Sequence, residues 1–230
     1  MKASLHNLIA SAYDLPMSGP DLILNAPPWH WLQLEAYDVE AVLPPNALPA
    51  GITIQELRRR IQEMDQGLLA DRLQLRVHRE QREMDSYGVR VAEGGLKLQV
   101  AMAEADCPAP QPIDPNDAML ACHTFGGGRG RGLHALAATI QEMTQFVQNW
   151  MDKPVVDKTG LTELYRFDTS PILPIQLTGK RLGDGVQDGV RYSDLLTVFE
   201  VFERMGLALV AEKSLVDVIV IDRVERPAIN

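Results

Sequence analysis

Residues 207–221 read LALVAEKSLVDVIVI, and this stretch indicates the fold class more strongly than any other. It begins with four apolar residues and ends with six residues that are apolar except for Asp217, a composition typical of β-strands. The polar residues between these two runs predict a turn, so the stretch is expected to form a β-hairpin. Residues 73–92 show a related pattern, because two alternating segments flank a charged run from Arg79 to Asp85. We therefore predict a second, longer hairpin there.

Amphipathic helical patterns accompany the predicted strands. They cover residues 4–13, 54–70, 139–151 and 194–205, with Ser4, Thr53 and Ser193 as N-caps and Gly206 as a C-terminal cap. In helix 54–70 the positions expected to face inward are Leu57, Ile61, Met64 and Leu68. Short strands are predicted at Tyr37 and at Tyr165. The order helix, strand, helix, hairpin therefore occurs twice, and it predicts an α+β fold of two pseudo-repeated modules with antiparallel or mixed sheets.

A proline-rich stretch marks the predicted boundary between the modules. Residues 103–117 contain four prolines, a composition typical of linkers. We expect a first α+β module over residues 1–102 and a second over residues 118–230. The second module is predicted to begin with a strand over residues 119–125, which leads into a glycine run.

The overall composition excludes some classes of function. A formal net charge of −9 argues against a nucleic-acid partner, because binding to phosphates needs clustered Lys and Arg. No apolar run reaches the roughly 18–20 residues that cross a bilayer, so no transmembrane segment is expected. No signal-peptide pattern follows Met1 in the chain as given, which by itself predicts a cytoplasmic protein. Zinc and nucleotide-binding spacings are absent, so we expect no metal and no cofactor.

The chain has two cysteines, Cys107 and Cys122. Their spacing fits one disulfide in an oxidising compartment. It equally fits two unpaired thiols, and the sequence does not decide between these alternatives.

Three segments carry a resemblance to a known family. They are residues 69–80 with Gly94–Leu98, residues 154–165 (PVVDKTGLTELY), and residues 205–222 with Glu225–Pro227. Together they resemble the soil-associated protein family of unknown function that is expanded in acidobacteria. The resemblance implies an exported protein, periplasmic or extracellular, and it implies no reaction. It also implies a lead-in strand before the first helix, for which the sequence ahead of Leu5 has no equivalent. Each half is loosely similar to the short N-terminal interaction domains of secretins and TonB-dependent receptors.

Two segments are candidates for ligand binding. The run GGGRGRG at residues 126–132 combines backbone N–H groups with two arginines, which suits a phosphate or carboxylate. The residues expected to bind there are Gly127, Gly128, Arg129 and Arg131. Trp29 and Trp31 lie in a proline-rich loop and predict an aromatic surface for a sugar, a peptide or a partner protein. A flexible turn at the glycine run and a tryptophan lid over the core are the structural alternatives.

His78 and His123 are the candidates for acid–base chemistry. His78 shares one strand face with Glu80, which predicts either a His–carboxylate couple or a solvated face of mixed charge. His123 follows Cys122, but adjacent strand residues point to opposite faces, so a Cys–His nucleophilic pair is geometrically poor there. His123 and His134 alone are too few ligands for a metal site. The motifs of three large hydrolase classes are absent.

Three functions remain open at this point. The first is an exported binding or interaction module for an unidentified protein or small-molecule ligand. The second is a hydrolase with His78 or His123 as base and Arg129 or Arg131 holding an anion. The third is a structural envelope protein that forms a homodimer by strand addition at an open sheet edge, which the missing first strand would leave. The sequence does not decide whether the chain is an enzyme.

Overall fold

The computed structural model describes residues 2–29, 36–40, 52, 54–103, 106–107, 122–127, 132–173, 175, 186–187 and 190–226. Its helices are α1 (Leu5–Tyr13), α2 (Ile54–Leu73), α3 (Ile140–Val147) and α4 (Val198–Arg204). Its longer strands are β4 (Arg76–Val91), β5 (Gln99–Met102), β7 (Leu133–Ala138), β8 (Val155–Asp157), β9 (Leu164–Asp168) and β14 (Leu207–Arg223). Its two-residue strands are β1 (Lys2–Ala3), β2 (Ile23–Leu24), β3 (Tyr37–Asp38), β6 (Gly126–Gly127), β10 (Ile172–Leu173), β11 (Val186–Gln187), β12 (Val190–Arg191) and β13 (Leu196–Thr197). The predicted α+β class with mixed sheets is confirmed.

Strands β4 and β14 form one long antiparallel ribbon. Pairing runs without a register shift from Val77 opposite Ile221 to Val91 opposite Leu207. The two predicted hairpins are therefore wrong, because residues 79–85 and 211–215 continue the strands instead of turning. Neither segment contains the Gly, Pro or Asn that a tight turn favours. Their polar side chains are tolerated because this part of the ribbon is exposed to solvent on most positions.

The described residues form two four-stranded sheets, and the first of them includes the ribbon. The first has the order β2-β14-β4-β8, with the outer strands parallel to their neighbours. The second is antiparallel, with the order β5-β9-β7-β6. Each sheet combines strands from both sides of the predicted linker. The pseudo-repeat is not confirmed, and the division into two modules stays a prediction.

The ribbon is packed at both ends. At one end Tyr87, Val89 and Leu207 join the largest core, together with buried residues of the second sheet, α3 and α4. At the other end Ile219 and Ile221 pack against buried leucines and isoleucines of α1 and α2. A smaller cluster around Val216, Val218 and Val220 lies between them on the opposite sheet face. The long strands thus connect two separate hydrophobic cores.

Local capping explains where three helices begin. The Ser4 hydroxyl accepts the Asn7 N–H at 3.3 Å, as predicted for α1. Thr139 and Thr197 form complete capping boxes with Glu142 and Glu200 at the starts of α3 and α4. The last helix therefore begins at Val198, later than predicted, because Thr197 rather than Ser193 caps it. The predicted cap Thr53 lies outside the described residues.

Several other boundaries differ from the prediction. Residues 122–125 form a turn and irregular chain, so the described part of the predicted strand 119–125 is not a strand. The helix predicted over 139–151 ends at Val147 and continues as a 3₁₀ turn to Trp150. Strand β7 was not predicted, because its alanines do not alternate with polar residues.

Helix α2 buries less than its periodicity predicts. Ile61 and Met64 were expected to face inward, but they are 43% and 45% exposed. The helix is anchored at its C-terminal turn instead, where Leu69 and Leu73 are 2% and 4% exposed. Its N-terminal half therefore makes little contact with the described core.

Cys107 and Cys122 form a disulfide, with their Cα atoms 6.0 Å apart. The bond closes a loop of 15 residues, so the first of the two alternatives for these cysteines is confirmed. Both residues pack with Ala137 and Leu164 of the second sheet.

Candidate functional site

A cleft of about 400 Å³ lies between the second sheet and the C-terminal end of α4. Its lining is polar and cationic on the sides and apolar at the helix. The residues are Lys97, Leu98, Gln99, Arg166, Asp168, Thr169, Ser170, Val201, Arg204 and Met205. This cleft brings together four charged side chains, those of Lys97, Arg166, Asp168 and Arg204.

The wall of the cleft depends on a close backbone approach at the end of α4. The Lys97 N–H donates to the Met205 carbonyl oxygen at 2.9 Å. Gly206 has a φ of 76°, and a Cβ atom there would lie 2.2 Å from the Gly95 carbonyl oxygen and 2.7 Å from the Lys97 nitrogen. Gly206, which the sequence predicted as a helix cap, therefore also allows the irregular segment before β5 to pack on the end of the helix.

Strand register brings Arg166 and Asp168 to the same side of β9. They are two residues apart and exposed, whereas Phe167 between them is 1% exposed and belongs to the largest core. Gln99 of β5 pairs with Arg166, so the edge strand supplies the neighbouring part of the lining. Successive side chains in this part of β9 thus point alternately towards the cleft and into the core.

The electrostatics of the cleft are dominated by three cations. In the part of the chain that the structure describes, the side chains of Lys97, Arg166 and Arg204 form no ion pair or hydrogen bond. Arg204 lies in the last turn of α4, where a positive charge is favourable. Its charge contributes to the lowered pKa of Glu200, although hydrogen bonds from the Thr197 N–H and hydroxyl are the larger causes. The cations are therefore available to an external anion.

Asp168 is the acidic residue of the lining, and it is engaged by a histidine. The Nδ1 atom of His134 lies 3.0 Å from Oδ1 of Asp168, and the two residues face each other across β7 and β9. The nearby Thr169 hydroxyl accepts the Leu133 N–H at 2.9 Å and donates to the Ser170 carbonyl oxygen at 3.1 Å. Asp168 and Thr169 thus connect the lining of the cleft to the first residues of β7 by hydrogen bonds.

The predicted glycine–arginine site is described only at its base. Gly127 lies in β6 with a φ of 140°, and a Cβ atom there would lie 2.1 Å from the Gly132 carbonyl oxygen. A Cβ atom on Gly132 would lie 2.1 Å from the carbonyl oxygen of Thr169, which lines the cleft. Gly128, Arg129 and Arg131 lie outside the described residues, so their predicted role stays a prediction.

Trp29 is partly buried against the core formed by α1 and α2. The guanidinium of Arg226 lies 5.3 Å from the centre of its ring, a cation–π contact. Trp31 lies outside the described residues. An aromatic surface built by both tryptophans therefore stays a prediction, and the described half of it is largely occupied by the protein itself.

His78 lies on the exposed part of the ribbon. Its Nδ1 atom is 3.0 Å from Asp222 Oδ1, and its Nε2 atom is 3.9 Å from Glu80 Oε2. His78 and Asp222 are each about half exposed, and neither lines the cleft. The cross-strand partner of His78 is thus Asp222, which the sequence analysis did not identify.

His123 contacts the capping box at the start of α3. Its Nδ1 atom lies 2.8 Å from Glu142 Oε1, while Oε2 of the same carboxylate accepts the Thr139 N–H at 2.8 Å. His123 has a left-handed backbone with a φ of 59°, and the adjacent Cys122 is bonded to Cys107. A Cys–His nucleophilic pair is therefore impossible while the disulfide is intact. His123 does not line the cleft.

Hydrogen bonds of Asp157 and the backbone of Gly160 define a turn at residues 157–160. Asp157 Oδ1 accepts the Thr159 N–H at 2.8 Å and the Thr159 hydroxyl at 2.7 Å. Gly160 has a φ of 70°, which glycine adopts without strain. This turn, which belongs to the segment 154–165 that carries the family resemblance, has a structural role.

The three cations of the cleft were missed by sequence reasoning. Lys97, Arg166 and Arg204 are far apart in the chain, and each has an ordinary local context. Only the pairing of β5 with β9 and the packing of α4 bring them together. A local motif could not have revealed this site.

Comparison with known proteins gives the family. A family model described as "Protein of unknown function (DUF3738)" matches residues 6–224. The chain belongs to this family. No curated protein and no solved structure matches it. Among the described residues, no helix combines the length and apolar character needed to cross a membrane.

Proposed function

We propose that this member of the DUF3738 family is an exported binding module that takes an anionic ligand in the cleft of Lys97, Arg166 and Arg204. The observation that carries the proposal is the presence of three cations without ion-pair partners, in the described structure, around one concavity of about 400 Å³. The whole chain carries a net charge of −9, so this local positive charge runs against the overall balance. Electrostatic focusing in a cleft would concentrate an anion there.

The chemistry of the lining defines the ligand class. Two guanidinium groups and one ammonium group suit carboxylate, sulfate or phosphate oxygens, and arginine binds such groups in a bidentate manner. Val201, Met205 and Leu98 add apolar contact at the helix side. A ligand with one or more acidic groups on a short carbon skeleton would use both kinds of surface.

Export is supported by one structural feature and is also implied by the sequence resemblance. The Cys107–Cys122 disulfide is of a kind that persists in oxidising compartments and is rare in the cytosol. The resemblance of residues 69–80, 154–165 and 205–222 to the soil-associated family implies a periplasmic or extracellular location. Fractionation of the producing cells tests this part of the proposal. Recovery of the chain in the cytosol with both thiols free would contradict it.

Anion binding is tested by thermal shift and calorimetry with inorganic phosphate, sulfate and citrate as probes. A ligand that binds only the folded state raises the melting temperature with its concentration. We expect at least one probe to stabilise the wild type, and we expect Arg166→Glu to abolish that effect. The matched control is Lys213→Glu, because Lys213 is 66% exposed on the ribbon and does not line the cleft. Equal stabilisation of both variants, or of neither variant nor wild type, would contradict the proposal.

A second candidate function, hydrolysis of a bound anionic ester, is favoured by the contact of His134 with Asp168, because Asp168 lines the cleft. With the Nδ1 proton donated to Asp168, Nε2 of His134 would be available as a general base for water. This assigns the base to a histidine other than His78 and His123. A colorimetric screen with p-nitrophenyl phosphate and p-nitrophenyl acetate tests it. Turnover that is lost in His134→Ala and kept in His78→Ala would support hydrolysis, whereas no turnover by the wild type leaves binding as the function.

A further inference from the structure

The outer edge of β4 has backbone groups without partners in the described structure. Strand β8 pairs with this edge only at residues 87–89. There the Tyr87 N–H donates to the Pro154 carbonyl oxygen at 2.8 Å, and the Val89 carbonyl oxygen accepts the Lys158 N–H at 2.9 Å. Over residues 76–86, no other described strand pairs with β4 except β14 on the opposite side.

The direction of each peptide group follows from this register. In an antiparallel ladder, successive residues point their N–H and C=O groups alternately to one side and the other. Tyr87 and Val89 point away from β14, and no register shift interrupts β4 between Val77 and Val91. The odd-numbered residues Arg79, Gln81 and Glu83 therefore also point their backbone groups to the free edge.

The side chains along this edge form a charge palindrome around Gln81. The sequence from residue 79 to residue 83 reads Arg-Glu-Gln-Arg-Glu. If a second β4 strand ran antiparallel with a two-fold axis at Gln81, Arg79 would face Glu83 and Glu80 would face Arg82. The symmetry repeats both pairs, which gives four contacts between opposite charges and none between like charges.

Neighbouring registers are excluded by the same rules. Hydrogen bonding requires outward-pointing residues to face each other, so the register can shift only by placing the axis at another residue. An axis at Glu80 sets the two Glu80 carboxylates against each other and His78 against Arg82. An axis at Arg82 sets two Arg82 guanidinium groups against each other. The Gln81 register alone combines satisfied backbone groups with complementary charges.

We propose that the chain forms a homodimer in which β4 of one protomer pairs antiparallel with β4 of its partner about a two-fold axis at Gln81. Within the monomer, Arg79 donates one hydrogen bond to the Tyr13 carbonyl oxygen at 3.1 Å, and the other charges form ion pairs on the surface. The Arg82–Glu80 contact at 3.0 Å and the Lys213–Glu83 contact at 3.7 Å both involve well-exposed side chains. Exposed pairs of this kind contribute little to stability, so they exchange readily for contacts across the interface. This proposal does not rest on anion binding at the cleft.

Light scattering over a range of protein concentrations tests dimer formation. We expect the mass to rise with concentration from 25.5 kDa towards twice that value. Arg79→Glu places a carboxylate opposite Glu83 and is expected to weaken the dimer about tenfold or more. The double variant Arg79→Glu with Glu83→Arg restores the opposite charges and is expected to restore the dimer. The control Arg72→Glu makes the same charge change on the exposed end of α2 and should have no effect.

The register is tested by cross-linking. Gln81→Cys places two thiols on the two-fold axis, where paired Cα atoms about 5.5 Å apart are within reach of a disulfide. Both native cysteines are already bonded to each other, so the new thiol reacts alone. We expect a covalent dimer to form with Gln81→Cys and to form much more slowly with the control Arg72→Cys.

Three outcomes would overturn the proposal: a monomer at all concentrations, a dimer that Arg79→Glu leaves unchanged, or equal cross-linking of the two cysteine variants. The variant Gln81→Pro tests the same interface without relying on the folding of the charge variants. Proline removes an N–H at the free edge and leaves the bonds to β14 intact, so circular dichroism should remain that of the wild type while the dimer is lost. A folded Gln81→Pro variant that still dimerises would also overturn the proposal.

Discussion

The two ends of the β4–β14 ribbon are packed by different means. At the cleft end, defined by β4 residues 87–91 and β14 residues 207–212, the strands join a core that includes the fully buried rings of Phe167 and Phe202. At the helix-pair end, defined by β4 residues 76–79 and β14 residues 219–223, they pack against aliphatic residues of α1 and α2.

Reinforcement is also concentrated at the cleft end. Both complete capping boxes and the disulfide belong to elements around the larger core. At the helix-pair end, α1 has a single cap hydrogen bond, and no described side chain in residues 54–63 of α2 is fully buried. The comparison therefore predicts that variants at the cleft end have the larger effects.

The largest expected effect is that of Phe202→Ala. Phe202 is 0% exposed, and its loss leaves a cavity in the larger core that should cost about 3–5 kcal/mol of the free energy of unfolding. Leu69→Ala at the helix-pair end removes a smaller buried side chain and should cost about 2–3 kcal/mol, near the lower limit for such sites. Urea titrations measure both. A larger cost for Leu69→Ala would reverse the comparison.

The same pair of variants tests whether the ends unfold together. Because β4 and β14 run through both cores, we expect one cooperative transition in each variant. Hydrogen exchange should show β14 residues 207–212 and 219–221 protected to a similar degree in the wild type. Two separate transitions would mean that the ribbon does not couple the cores.

Loss of the disulfide ranks next. A bridge that closes a loop of 15 residues contributes about 3 kcal/mol by restricting the unfolded chain. The variant Cys107→Ser with Cys122→Ser, and the wild type under reducing conditions, should therefore melt at a lower temperature by similar amounts. The matched control is the wild type under oxidising conditions. An unchanged melting temperature on reduction would contradict this contribution.

Substitutions at the two helix caps should change the free energy of unfolding less than loss of the disulfide does. Thr197→Ala removes both hydroxyl contacts with Glu200 at α4 and should cost about 1–2 kcal/mol. Ser4→Ala removes one hydrogen bond of 3.3 Å at α1 and should cost about 0.5–1 kcal/mol. Thermal unfolding measures both variants. Equal costs would show that the second half of the capping box contributes little.

The smallest effect concerns alkaline pH. Burial, with a smaller contribution from its hydrogen bond to Glu163, raises the pKa of Tyr165 to about 12. The unfolded chain ionises this phenol near its ordinary pKa of 10.0. The folded state therefore loses stability relative to the unfolded state as the pH rises from about 10 to about 12. Absorbance titration of the phenolate should show a late component that is absent in Tyr165→Phe. A titration curve unchanged by this substitution would contradict the raised pKa.

Local elements could be predicted from the sequence where their signals lie within a few residues. The Ser4 cap and the glycine that ends α4 both depend on neighbours in the chain, and both were predicted. The two hairpins were mispredicted because apolar runs separated by polar residues fit a hairpin and a long exposed strand equally well. Pairing partners 144 residues apart, such as Val77 and Ile221, leave no local trace.

The candidate site shows the same limit. His78 was predicted to contact a carboxylate, and its main partner proved to be Asp222 from the opposite strand rather than Glu80. The cleft was not predicted at all, because Lys97, Arg166 and Arg204 acquire a common role only when three separate elements meet.

The α+β class and the approximate positions of the helices could be predicted from the amino-acid sequence, which also contains the charge palindrome at residues 79–83. These depend on periodicity, capping and side-chain charge, which are properties of short segments. The pairing of β4 with β14 follows only from the tertiary structure. The same holds for the edge of β4 that has no described partner over residues 76–86, and for the cleft that three distant cations share. Those features depend on which distant segments satisfy each other's backbone hydrogen bonds and bury each other's apolar faces, and these are choices that no short segment makes alone.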